Sequence, residues 1–335
     1  MRVLIATPLY PPEIGGPATY AVGLENSLRE LGHLPTIVCY RDAMSLPKGL
    51  RQIVFFFKIL KLAPNNDMII ALDTLSIGLP AMLIARIYRI HGIVRVAGDQ
   101  IWERYVNRRA PIPFSEFYSS DLKLDLTERL MHIMTSLTFR LANKLVFSTE
   151  WQKKYRTVGY PLIHNKTILI KNAYTHNYNT LGNEPKEKIF LWAGRDIPLK
   201  NVSLLKEAFE DAKKTIPDIS LLLLTGVPHG EVIKRLKESY AVILPSYSDD
   251  SPNILLEGLS CGKPFISTKY NGLLDDIGTM GIAVEPRSRE EISSAIISMS
   301  QKEIYQKFQE HIRNFKYCHS YEDIANEFAQ LIVPK

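Results

Sequence analysis

The stretch YSDDSPNILLEGLSCGKP, Tyr247 to Pro264, decides the fold. It follows Ala241-Val-Ile-Leu244, a wholly apolar run of the kind found in strands buried on both faces. Pro245 ends that run. Ser251-Pro252 predicts a helix start, with serine as cap and proline at the first helical position. The helix continues through Ile254, Leu255, Leu256 and Leu259. Gly262 suits the residue just past its end, and Pro264 blocks continuation. Phe265–Thr268 is the next strand. A strand–loop–helix–strand unit of this kind builds parallel sheets. Ligands of such sheets bind beyond the carboxyl ends of the strands. The loop 245–253, with the amides around Asn253, is therefore a candidate anion site. Glu257 lies one turn further in, where a carboxylate can accept hydrogen bonds from a diol such as a ribose. For this segment alone, a partly exposed helix glutamate is the plainer reading.

The same alternation extends outward in both directions. Strands are predicted at 2–6, 36–40, 68–72, 94–97, 144–148, 189–193 and 219–225. Helices are predicted at 17–31, 51–62, 79–90, 122–142, 201–214, 231–239 and 321–333. Thr175 to Glu187 turns polar, with three asparagines, Gly182 and Pro185, and marks a linker, with hinge motion expected near 172–187. The expected architecture is α/β: two parallel-sheet domains, 1–175 and 176–315, facing across a cleft. A last helix at 316–335 is free to pack back on the first domain.

Composition narrows the class. The chain has 335 residues, 46% hydrophobic and 23% charged, as in a globular protein of two ordinary domains. Three widely spaced cysteines without a CxxC pair favour a reducing compartment over a disulfide frame or zinc site. No signal peptide is evident, and the most apolar stretch, 68–88, is broken by Asp73, Gly78, Pro80 and Arg86. A cytoplasmic location follows as the expectation. Charge is uneven: 21 Lys+Arg against 13 Asp+Glu in residues 1–170, and 20 against 22 in the remainder. A basic first half suits an anionic partner, although solvated basic surfaces are common. No zinc-finger, RRM or basic-zipper pattern points to nucleic acid.

Four segments stand at carboxyl ends of predicted strands. Pro11 to Pro17 holds Gly15 and Gly16 before a helix, suited to close backbone approach by an anion, though a plain tight turn serves equally. Its spacing is not GxGxxG, which argues against a nicotinamide site. Arg195 and Lys200 leave a single loop after one strand and together suit a diphosphate; two surface cations are the bland alternative. Asp249 and Glu257 stand eight apart in the opening segment. Asp99 and Glu103 follow a strand of the first domain, where either can orient an acceptor hydroxyl or pair with Arg95 or Arg104.

Taken in order, these segments resemble the family 4 retaining glycosyltransferases of the GT-B fold. "PPEIGGPATYAVGLENSLRELGH" resembles the family's opening loop and helix. "LWAGRDIPLKNVSLLKEAF" resembles the start of its donor domain. "LPSYSDDSPNILLEGLSCGKPFIST", followed by "GIAVEP", resembles its Glu-x7-Glu region and is the most specific match. The resemblance implies two Rossmann-like domains and transfer of a sugar from a UDP- or GDP-linked donor to a glycan or lipid-linked acceptor. Arg195 and Lys200 would then neutralise the leaving diphosphate without a metal or other cofactor. Glu257 would bind the ribose, and Gly15 and Gly16 would approach the phosphates or donor sugar. Pro252, Asn253 and Ile254 would line the donor pocket, and Asp99 and Glu103 the acceptor side. Asp249 stands where the family often has glutamate, one methylene longer, and a histidine often found before the aspartate at 99 is replaced by Gly98. Those departures leave the alternative of a silent sugar-nucleotide-binding scaffold; a second alternative is a sugar-nucleotide epimerase of the same fold, against which the Arg195/Lys200 and 249–257 pattern argues. Arg51, Lys58 and Lys61 around "QIVFFFKILKL" suit an anionic membrane surface as partner, at the inner face of the membrane, though a plain core helix serves equally.

Overall fold

The computed structural model describes residues 1–13, 15–43, 46–109, 111–174, 185 and 187–332. The predicted linker, 175–187, therefore falls almost wholly outside the described residues, as does most of the hinge expected near 172–187. The chain divides into two compact units. The first comprises Met1–Arg104, Asp121–Ala173 and the last stretch from His319; the second comprises Tyr105–Ser120 and Tyr174–Cys318. The sequence boundary assigned 105–120 to the first domain. The structure groups this segment with the second unit, where the Phe114 amide donates to Ser248 Oγ at 3.0 Å.

The first unit is built on strands β1 (Arg2–Thr7), β2 (Leu34–Cys39), β3 (Met68–Ala71), β4 (His91–Arg95), β5 (Lys144–Phe147) and β6 (Thr167–Leu169). All pairs are parallel, in the order β2-β1-β3-β4-β5-β6. Every residue of β3 is buried, as the unbroken apolar run demands. The helix Gly16–Glu30 lays Tyr20, Ala21, Leu24 and Leu28 on this sheet. The helix Tyr321–Gln330 packs against it and adds Ile324, Ala325 and Phe328 to the same core. A side chain at Gly23 would meet the Tyr321 ring at 2.5 Å, so glycine permits that close packing. Ser320 and Asp323 form a capping box at this last helix.

The second unit carries β7 (Lys188–Ala193), β8 (Ile219–Leu224), β9 (Ala241–Leu244), β10 (Phe265–Thr268) and β11 (Gly281–Val284), ordered β11-β10-β9-β7-β8 and all parallel. β9 and β10 are buried throughout. After β7 the chain adds β8 on one side, then crosses to lay β9 on the other. The crevice between the carboxyl ends of β7 and β9 is thus the topological switch point, where open α/β sheets take their ligands. The helix Asn253–Ser260 packs on β9 through Gly258, where a Cβ would come within 2.5 Å of Val242. Its end is a Schellman turn. Gly262 adopts φ 73°, with its amide bonded to the Leu259 carbonyl and that of Lys263 to Gly258.

Candidate functional site

The loops that follow β7 and β9 meet at the switch point of the second sheet. After β7, residues 194–197 lead to a short turn, Pro198–Lys200, and then to Asn201, in the left-handed conformation at φ 57°. The Asn201 side chain is buried and donates to the carbonyls of Pro245 (3.1 Å) and Pro286 (2.6 Å), tying the β7 loop to those of β9 and β11. The Tyr247 amide donates to the Leu199 carbonyl at 3.0 Å. Asp249 is pinned by its backbone: its amide donates to Tyr270 O, and Gly272 donates to Asp249 O.

This framework brings Lys200 and Asp249 together. Lys200 Nζ donates to Asp249 Oδ1 at 2.7 Å, with the side chains 17% and 15% exposed. Asp249 Oδ2 is buried without a hydrogen-bond partner among the described residues. Such an acceptor is costly to leave unmet. Arg195 is exposed on the same loop. The sequence reading aimed both cations at an external anion. The structure instead gives Lys200 an internal carboxylate, and that carboxylate is itself a predicted site residue.

The helix that follows β9 starts one residue later than predicted. Pro252, not Ser251, is the N-cap, no side-chain cap is made, and Asn253 and Ile254 form its first turn. Both are partly exposed, and Pro252 is buried. Glu257, one turn on, is partly exposed and accepts from His229 Nε2 at 2.9 Å. His229 opens the helix His229–Glu238 that follows β8, and the sequence reading passed over it.

The hydrogen bond to Glu257 is the main cause that raises the His229 pKa above 6.5; burial opposes it and the carboxylate's charge assists. A group whose folded pKa is raised contributes its stability fully below the unfolded value and loses it as pH climbs through the folded one. His229→Gln is therefore expected to destabilise most at about pH 5–6, with the difference shrinking toward about pH 8. Urea unfolding across that range checks this, and a pH-independent difference would refute it.

In the first unit, Gly15 is the N-cap of the helix Gly16–Glu30, at φ 145°, where a side chain would be strained. Gly15 and Gly16 follow β1, at the switch point of the first unit's own sheet, between β1 and β3. Glu103 lies in the first turn of the helix Gln100–Arg108, with Oε1 close over Gly98.

Asp99 is reassigned. It is 2% exposed, and Oδ1 accepts from the amides of Ile101 (2.8 Å) and Trp102 (3.0 Å). Its other oxygen accepts from Arg156 Nη1, itself buried, and Arg156 also donates to the Ala97 carbonyl. With both oxygens engaged and water excluded, Asp99 organises the loop after β4 and does not present a carboxylate to an acceptor. The neighbours considered as partners go elsewhere: Arg95 stacks on Tyr20 at 3.9 Å, and Arg104 pairs with Asp125 at 3.2 Å. The strand predicted at 94–97 starts earlier, at His91, which is the first residue of β4 and lies opposite Met68.

Residues 187–302 match a family model described as "Glycosyl transferases group 1". An uncharacterized glycosyltransferase of Methanocaldococcus jannaschii is 25% identical over 166 residues, 43% of this chain and 47% of that protein. TuaC of Bacillus subtilis, provisionally named a teichuronic acid biosynthesis glycosyltransferase, is 24% identical over 140 residues, 37% and 36% of the respective chains. The chain thus spans less than half the length of these curated relatives. Among solved structures, sucrose-phosphate synthase of Thermosynechococcus elongatus aligns with TM-score 0.70 at 12% identity, over 98% of both chains. WaaG, a glycosyltransferase involved in lipopolysaccharide biosynthesis, aligns with TM-score 0.69 at 13% identity, over 99% of this chain and 100% of that one. Anabaena HepE, solved in complex with UDP-glucose, aligns with TM-score 0.65 at 13% identity, over 98% of both. The chain therefore has the GT-B fold of two Rossmann-like parallel-sheet units, and over residues 187–302 it is similar in sequence to group 1 glycosyl transferases.

Proposed function

We propose that this chain is a retaining glycosyltransferase. It moves a sugar from a nucleotide-diphosphate donor, UDP- or GDP-linked, to a hydroxyl of a glycan or lipid-linked acceptor in cell-surface polysaccharide assembly. The observation that carries the proposal is the Lys200–Asp249 pair at the switch point of the second sheet, 2.7 Å apart, within the segment similar to group 1 glycosyl transferases. UDP-glucose in the HepE structure supports a nucleotide-sugar donor, and the name of TuaC supports a polysaccharide product.

In this reading the diphosphate docks beside Lys200 and Arg195, against the start of the helix Asn253–Ser260, whose amides favour an anion. Fixed positive charge at the leaving group stabilises the transition state more than bound substrate, because charge builds only as the glycosidic bond breaks. The scheme contains no metal and no further cofactor. Asp249 Oδ2 offers its unmet acceptor capacity to a hydroxyl of the transferred sugar. Glu257 binds the ribose diol, exchanging or sharing its bond with His229. With no carboxylate assigned as nucleophile, the acceptor oxygen attacks from the side the diphosphate leaves, and the departing phosphate takes its proton. We assign Glu103, rather than the buried Asp99, to the acceptor, and a cytoplasmic site to the reaction.

A panel of UDP-, GDP- and ADP-sugars tests the proposal. At least one is expected to raise the melting temperature, and the rise is expected to vanish in Arg195→Ala and Glu257→Ala. No shift with any donor would refute the reading. Binding without transfer to any glycan or lipid-linked acceptor would instead mark a sugar-nucleotide-binding protein, and a converted free donor sugar would mark an epimerase.

A further inference from the structure

We propose that residues 114–120 wall the sugar end of the donor site in the second unit, and that Glu116 on this segment selects an uncharged sugar for transfer. The inference rests on the transferase reading and deepens it. In sequence the segment lies between β4 and β5, yet it belongs to the second unit. Pro111 and Pro113 stiffen its approach, and Phe114–Phe117 forms one helical turn. Phe114 and Phe117 are buried, and the Phe117 ring meets those of Tyr105 and Tyr118 edge-on, at 5.4 and 4.9 Å. The Phe114 amide donates to Ser248 Oγ, and Ser248 is buried. Ser248 immediately precedes Asp249, the carboxylate assigned to the transferred sugar. The turn is thus pinned beside the residue that carries that carboxylate.

The loops after β10 and β11 border the same residue. The Tyr270 carbonyl accepts from the Asp249 amide. The Tyr270 hydroxyl donates to Glu285 at 3.0 Å and accepts from Arg287 at 3.1 Å. Glu285 also accepts from Arg287 Nε at 2.6 Å and pairs with Lys269 at 3.1 Å. The bond to Glu285 is the main cause that raises the Arg287 pKa; burial opposes it, and the charges of Glu285, Tyr270 and Glu116 assist. Glu116 therefore stands close enough to act on this cluster. It is not bonded into it: the partly exposed Glu116 carboxylate has no hydrogen bond or ion pair among the described residues.

The polar capacity left over decides the class of sugar. Lys200 is committed to Asp249, and Lys269 and Arg287 to Glu285. The groups with capacity to bond are acceptors: Asp249 Oδ2, buried without a partner among the described residues, and the Glu116 carboxylate. Carboxylate oxygens take hydroxyl donors, which an uncharged hexose presents around its ring. A sugar that carries a carboxylate of its own would bring a third negative group to this end of the site. The loops after β9, β10 and β11 hold no uncommitted cation to receive it. Like-charge opposition of this kind is how a site rejects a near relative of its substrate. Ser248 acts through the turn it pins, as a positioning residue, and Glu116 touches the sugar.

The test is calorimetric titration of the full chain with UDP, UDP-glucose and UDP-glucuronate, and with GDP, GDP-mannose and GDP-mannuronate, at about 150 mM salt. In the series whose nucleotide binds, the uncharged sugar is expected to bind at least about tenfold more tightly than the uronate. Glu116→Gln is expected to remove most of that difference while leaving the affinity for the bare nucleotide unchanged. Ser248→Ala, which frees the turn, is expected to narrow the difference too, again without weakening the bare nucleotide. Glu116 is partly exposed, so its variant is expected to melt as the native chain does; if Ser248→Ala does not, Glu116→Gln decides. Equal affinity for hexose and uronate donors overturns the inference, as does a preference that Glu116→Gln leaves intact. Both outcomes, with the nucleotide still bound, leave the transferase reading standing. Binding of neither nucleotide series removes that reading and this inference together.

Discussion

Replacing Lys200 with alanine is expected to lower the rate of sugar transfer by about 10²–10³-fold, with a much smaller change in KM. The argument starts from the backbone. Asn201 holds the β7 loop against the loops of β9 and β11 through two buried hydrogen bonds, so the ammonium of Lys200 is delivered to a fixed place. A charge already in position needs no reorganisation when the diphosphate starts to leave, and its effect is largest on the transition state. A loss that falls mainly on kcat is the signature of such a role. Lys200→Arg keeps the charge but spreads it over a planar fork, which a single Asp249 oxygen does not match, so only partial recovery is expected. The side chains are only 17% and 15% exposed, so removing the lysine also strips the Asp249 carboxylate of its partner, and some loss of stability is expected beside the loss of rate. Unchanged kcat in Lys200→Ala, with donor binding intact, would remove Lys200 from the chemistry.

The elements that are legible from sequence are those whose environment is uniform. β3, β9 and β10 are short apolar runs buried on both faces, and nothing in them conflicts with a central parallel strand. The Schellman turn at Gly262 is readable because only a left-handed residue followed by a helix breaker suits that position. β4 is less legible. It starts at His91-Gly92, which reads as a turn, and becomes a strand through pairing with Met68 and Ile69. Residues 105–120 are contiguous with the first unit in sequence, and only a bond such as that from Phe114 to Ser248, 134 positions away, assigns them to the second.

The same division between local and distant information runs through the candidate site. Lys200 and Asp249 were readable as separate loop residues following two strands; that they neutralise each other depends on the order in which β7 and β9 lie in the sheet. His229 was missed because its partner, Glu257, belongs to another helix, 28 residues on. The signal was a histidine at a helix start beyond the carboxyl end of β8, beside a strand already carrying a candidate loop. For Asp99, proximity in sequence suggested Arg95 or Arg104. The actual partner comes from the helix Glu150–Gly159, 57 residues away, whose Gln152 also donates to the Val96 and Ala97 carbonyls. A buried cation on a distant helix leaves no mark near the carboxylate it neutralises.

That partnership makes Asp99→Ala the substitution with the largest expected effect on folding: about 3–5 kcal/mol, the usual consequence of stranding a buried charge. The Arg156 side chain is 2% exposed and has no route to water, and the amides of Ile101 and Trp102 lose their acceptor in the same step. Asp99→Asn keeps an acceptor for those amides but loses the charge, so it is expected to fall between alanine and the native residue. Asp99→Asn combined with Arg156→Met removes both charges and is expected to recover much of the loss, since well-packed apolar replacements of buried ion pairs are often neutral. The measurement is specific to the first unit. Trp102 and Trp151 lie there and Trp192 in the second, so denaturant unfolding followed by fluorescence in a Trp192→Phe background reports the first unit. If Asp99 acted on an acceptor instead, Asp99→Asn would abolish transfer at unchanged stability, and Arg156→Met would give no rescue. Additive losses in the double variant would equally dismiss the ion pair as the reason for an aspartate at this position.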